Sequence, residues 1–217
     1  MNYRVSMVDK MLMQKLSDSR QLVQNDLDQS IRNHELCMDQ FVFGIQQCEK
    51  KGLRNTKLIW NMSALINIIS MDLKIIQRDL YFSKDFWAQR YYIRQAYLLI
   101  YEFFKSYYSE QKDFYEVINT KLDISLFVAE KDSIIKDLRE YRKKYEKVFY
   151  NVRNAAVAHR DVNVMAQIEV IENLNFSEAI EIILKFNELL NSLGSFLKKV
   201  IDLGLKDIDL LKLLVMR

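Results

Sequence analysis

With 217 residues, half of them hydrophobic, the chain has ample material for one buried core and reads as one domain with an arm. A net charge of +3 is too small to argue by itself for nucleic acid or for an acidic partner. Proline is absent where average usage would supply about ten, and there are only four glycines. Long uninterrupted helices are expected, because proline removes an amide donor and clashes with the preceding turn.

Residues 4–50 read as one long helix or two collinear ones. Apolar positions are sparse there (Met7, Met11, Leu16, Leu22, Val23, Leu27, Ile31), and Gln21, Gln24, Asn25, Gln29 and Asn33 fill the gaps. A helix this polar is a solvated arm or a partner-binding surface. Residues 1–52 are therefore expected to form an N-terminal helical arm, closed by Gly52, ahead of a bundle over 53–217. Cys37 and Cys48 lie eleven residues apart on this helix. That is about three turns, or ~16 Å, too far for a disulfide. With His34 they are expected to be catalytically silent, because no further ligands accompany them.

The next helix, 56–82, has a seam of Leu58, Met62, Leu65, Ile69, Leu73, Ile76 and Leu80. Ile59, Ile66, Ile68 and Ile75 form a second apolar face. Its charge-free run, Leu58 to Met71, is too short for a membrane span and reads as a buried helix. An aromatic-rich helix follows Ser83, marked by Trp87, Tyr91, Ile93, Tyr97, Ile100, Phe104 and Tyr107, with Arg90, Arg94 and Glu102 as polar members. Residues 110–131 are less periodic and read as a short helix and a loop.

Strong periodicity returns over 132–159, where Ile134, Leu138, Tyr141, Tyr145, Val148 and Val152 form the stripe. Arg142, Lys143, Lys144 and Lys147 lie elsewhere on that helix. A short helix is expected over 162–172. Asn175, with Glu178 three residues on, has the form of a capping box. It opens a last helix seamed by Ile182, Phe186, Leu189, Leu193, Phe196 and Val200 and ended by Gly204. An apolar tail, Ile208 to Val215, is expected to pack on the bundle or a partner. No alternating strand pattern competes. The fold class is all-α: an up-and-down four-helix bundle with an N-terminal helical arm.

The chemistry concentrates in Arg153-Asn154-Ala155-Ala156-Val157-Ala158-His159, which spends one of only two histidines. Arginine can hold a phosphate with charge and a two-pronged donor, and histidine can move a proton near neutral pH. On a regular helix the two side chains would diverge by about 120° and ~9 Å, so they can border one cleft without touching. The small residues between them leave room for a phosphate. An ordinary salt bridge from the arginine to Asp161 or Glu146, with the histidine in the core or at the cap, is the plain alternative.

The run Arg153-Asn154-Ala155-Ala156-Val157-Ala158-His159-Arg160-Asp161 resembles the signature of the HEPN superfamily. That signature is an arginine, a polar residue directly after it, and a histidine after four to six intervening residues. The long helix before the motif and the amphipathic helix after it match as well, so the resemblance covers residues 85–203. The Ala-His-Arg-Asp ending is similar to bacterial HEPN proteins of abortive-infection type. The chain lacks a tyrosine two or three residues after His159, which departs from the branch partnered with nucleotidyltransferase antitoxins.

The resemblance implies a metal-independent endoribonuclease in a phage-defence or toxin–antitoxin setting. His159 would be the base, Arg153 would stabilise phosphoryl charge, and Asn154 would orient histidine or phosphate. Arg160, Arg142, Lys143 and Lys147 would bind RNA. No metal or cofactor is expected, since no ligand cluster adjoins the motif. The leaving oxygen also needs a proton, from water or from His159 of a second subunit, and a homodimer that pairs two copies of the motif is expected. An antitoxin or other regulatory protein is a further expected partner, and no membrane is. The N-terminus lacks a signal peptide's apolar block and cleavage site, and reduced cysteines suit a cytoplasmic protein. The rival reading is a non-catalytic helical module for interaction or nucleic-acid binding. A purely structural helical adaptor would lack a basic groove around Arg142, Lys143, Lys147 and Arg160.

Overall fold

A computed structural model describes residue 11, residues 20–154 and residues 164–206. The expected sites His159 and Arg160, the salt-bridge candidate Asp161 and the apolar tail lie outside these residues. The described residues form an all-α helical bundle without strands. Its helices are α1 (Arg20–Lys51), α2 (Arg54–Phe82), α3 (Phe86–Lys121), α4 (Val128–Val152), α5 (Val164–Glu172) and α6 (Phe176–Lys206). One 3₁₀ turn, Ser125–Phe127, precedes α4.

The chain sorts into two compact units. The first holds residues 20–32, 71–102, 144–154 and 164–187, and the second holds 33–70, 103–143 and 188–206. In the first unit Arg20 donates to the Phe82 carbonyl (3.0 Å), and Arg78 Nη1 meets Asp28 Oδ1 at 3.2 Å. The start of α1 therefore lies antiparallel to the end of α2. Its core includes Leu73, Leu80, Ile93, Tyr97, Phe149, Ile183 and Phe186. In the second unit the end of α1 meets the start of α2: His34 Nδ1 donates to Asn67 Oδ1 (2.7 Å), and Asn67 Nδ2 donates back to the His34 carbonyl (2.9 Å). Cys48 and Trp60 pack there with Phe41, Ile45, Leu53 and Ile201. Phe103, Tyr107, Phe114, Leu138, Leu193 and Phe196 fill the rest of that core.

Several expectations change. The polar helix α1 buries Leu27, Ile31 and Cys48, so few apolar side chains suffice to dock it. Helix α3 runs unbroken to Lys121 where a short helix and a loop were expected, because Phe114 and Ile118 continue its buried face. In α2 the buried face is Ile59, Met62, Ile66, Ile69, Leu73 and Leu80. It includes Ser63, Asn67, Ser70 and Gln77, while Ile68 is exposed. Three of those polar groups have internal partners: Ser63 donates to the Ile59 carbonyl, Asn67 donates to the His34 carbonyl, and Gln77 accepts from Asn187. Phe149 rather than Val148 carries the α4 stripe. Trp87 and Tyr91 point outward.

The glycines divide by conformation. Gly52 adopts φ 68°, the left-handed state that ends α1. Gly204 is buried within α6, which continues to Lys206, so it ends nothing. Two starts are capped as their residues dictate: Asp85 Oδ1 accepts from Ala88 N (2.7 Å), and Asn175 Oδ1 accepts from Glu178 N (2.9 Å). Among the described helices only α2 is long and apolar enough to cross a membrane, and 56% of its most apolar window is buried within the structure.

Candidate active site

Helix α4 delivers Arg153 by its own periodicity. Phe149 and Val152 are buried on its inner face, so the residue after Val152 leaves the core at the rim. There the backbone changes, because Arg153 and Asn154 take a π-helical turn. Such turns widen the helix and recur at functional positions. The expected 120° offset to His159 runs through residues outside the described ones.

Among the described residues three groups hold the Arg153 guanidinium, all within the first unit. Asn154 Oδ1 accepts from Nη1 at 2.9 Å. Glu102 Oε1 accepts from Nε at 3.4 Å. The Tyr101 ring lies beneath, 5.2 Å from the guanidinium carbon to its centroid. The Arg153 side chain is 24% exposed and that of Glu102 is 41% exposed, so the site is open to an anion without being fully solvated. Nη2 takes part in neither of these two bonds.

Among the described residues the salt-bridge partner is Glu102, fifty-one residues away on α3, rather than Glu146; the other candidate, Asp161, lies outside them. The Asn154 oxygen accepts from Nη1 of the arginine, while His159, the other group it was expected to orient, lies outside the described residues. Tyr101 and Glu102 were not picked out as site residues. The only local signal is their place on α3 between buried Ile100 and buried Phe103 and Phe104, which marks a rim and names no partner.

Of the expected RNA-binding cations, Arg160 lies outside the described residues. Arg142 and Lys143 belong to the second unit, and Lys147 belongs to the first. Arg142 is half-buried, with its guanidinium 4.6 Å from the Tyr108 ring centroid. Lys143 and Lys147 are exposed. His34, Cys37 and Cys48 lie in the second unit, with both thiols free. Burial pushes the Cys48 thiol up, against a smaller opposing pull from Lys57. Among the described residues no three His, Cys, Asp or Glu side chains converge as metal ligands. The chain matches no protein-family model, no curated protein and no solved structure.

Proposed function

We propose that this chain is a metal-independent endoribonuclease of HEPN type. The observation that carries the reading is the Arg153 guanidinium, oriented by Asn154, Glu102 and Tyr101 inside an Arg-Asn-x4-His sequence. His159 takes the proton from an RNA 2′-hydroxyl, whose oxygen attacks the adjacent phosphorus. Arg153 stabilises the negative charge that builds on the phosphoryl oxygens. The P–O5′ bond breaks, a proton is delivered to the leaving oxygen, and the products are a 2′,3′-cyclic phosphate and a 5′-hydroxyl. The delivered proton comes from His159 of a second copy of the chain or from water, and a two-fold dimer provides the former. A phage-defence or toxin–antitoxin role in the cytoplasm, under a regulatory protein, is part of this proposal.

A non-catalytic module is the second reading, and the Arg153–Glu102 ion pair favours it, because a purely structural arginine makes such a pair. The test is the purified chain against end-labelled single-stranded RNA in EDTA, with end-group analysis. Cyclic-phosphate ends that vanish in His159→Ala, with the helical circular dichroism retained, support the ribonuclease. Equal cleavage by His159→Ala, or none by the parent chain, overturns it in favour of the module.

A further inference from the structure

The outward face of α3 is unusual in its chemistry. Trp87 is 44% exposed and Tyr91 is 48% exposed, one helical turn apart. Arg94 follows at the next turn, its guanidinium carbon 5.8 Å from the Tyr91 ring centroid and its Nε donating to the Arg90 carbonyl at 3.3 Å. Two turns further along the same face is Tyr101, which carries Arg153. Residues 87, 91, 94 and 101 fall within one narrow arc of the helix, spread over about 21 Å of its axis. Not one aspartate or glutamate occurs from Phe86 to Tyr101.

We infer that this stripe is a track for single-stranded RNA, along which bases stack on Trp87 and Tyr91 while Arg94 and Arg153 meet the backbone. The inference deepens the reading of Arg153 as a phosphate-binding group and rests on it. Single-stranded nucleic acid is bound by aromatic faces interleaved with cations along a groove or ridge, and stacking is tolerant of sequence because every base has a π-face. Trp87 and Tyr91 keep about half of their surface exposed, and Arg94 follows them in a stretch free of aspartate and glutamate. That pattern complements a polyanion with flat apolar bases, whereas an apolar protein partner has no use for the arginines.

The two tryptophans make the test direct, because Trp60 is buried and Trp87 is exposed. The full chain is titrated with a 2′-O-methyl oligouridine, which cannot be cleaved, while tryptophan emission and the anisotropy of the labelled oligonucleotide are followed. Quenching of Trp87 is expected on binding. Trp87→Ala and Tyr91→Ala should each weaken binding at least about fivefold, and Tyr91→Phe should restore it, since stacking needs the ring and not the hydroxyl. Unchanged affinity in both alanine variants overturns the inference. So does a loss of self-association or of a bound protein in those variants without loss of RNA affinity, which would make the face a protein interface. Binding with Trp87 quenching by a chain that cleaves no RNA leaves the track standing and removes only the ribonuclease reading.

Discussion

Glu102→Gln tests how Arg153 is held and what holds it back. Glutamine keeps an oxygen that can accept from Nε, so the guanidinium stays oriented, but the negative charge is gone. A phosphate on the far edge of the fork would sit about 6 Å from that carboxylate, a repulsion of about 3 kcal/mol at an effective dielectric of ~20. Glu102 is 41% exposed, so screening reduces the effect to about 1 kcal/mol, the upper range for exposed pairs. The substitution should therefore tighten binding of a non-cleavable RNA about fivefold at low salt. The gain should shrink as salt is raised past physiological strength, where the Debye length falls below ~8 Å. Stability should drop by no more than about 1 kcal/mol in urea denaturation. Anisotropy titrations at two salt concentrations, beside the denaturation curves, read both effects. Unchanged or weaker affinity at low salt, in a folded variant, would refute the placement of Glu102 as a competitor for the phosphate-binding arginine.

The remaining predictions are independent of that one. Arg153→Lys should be severely impaired in cleavage, since a point charge cannot span two phosphoryl oxygens, whereas Asn154→Ala should lose about tenfold, or ~1.4 kcal/mol; single-turnover rates compare them. Gly44→Ala would place a Cβ 2.6 Å from Trp60 Cδ2, against a buried ring set edge-on to Phe41. Overpacking costs about 1–3 kcal/mol and the better helix former returns about 1, so the net loss of up to about 2 kcal/mol should appear as a lower urea midpoint with the same slope. Cys37, half-buried, should react with a thiol reagent before Cys48, which is buried and raised by that burial; simultaneous labelling of the native chain would contradict this. Burial pushes the Tyr81 hydroxyl up to about 12 and raises Tyr97 and Tyr107 well above their ordinary range. Their folded values exceed the unfolded value of about 10, so this stability is complete below pH ~10; the Tyr81 share is lost as pH rises through about 12, and the Tyr97 and Tyr107 shares go on being lost above it. Phenolate absorbance should therefore grow in step with the loss of helical circular dichroism.

Helix, cap and motif were legible from local order. The absence of proline and the four-three seams determine an all-α fold for the described residues, and every residue of the α6 seam from Ile182 to Val200 is buried as its spacing requires. Asn175 caps α6 because a short side-chain oxygen two or three residues before free amides has one good use. Arg153, Asn154 and His159 stood out as an arginine, an adjacent amide and a histidine at one end of an apolar-seamed helix. Periodicity gives the angle between residues but does not say which arc meets the core, so the inner face of α2 and the outward turn of Trp87 and Tyr91 were decided by neighbouring helices. A glycine likewise carries no label for its conformation: Gly52 is left-handed at a helix end, while Gly204 is packed inside one. The partner of Arg153 was beyond reach for the same reason. Glu102 and Tyr101 lie fifty-one and fifty-two residues away, and a contact at that separation exists only once two helices have packed with their rims aligned.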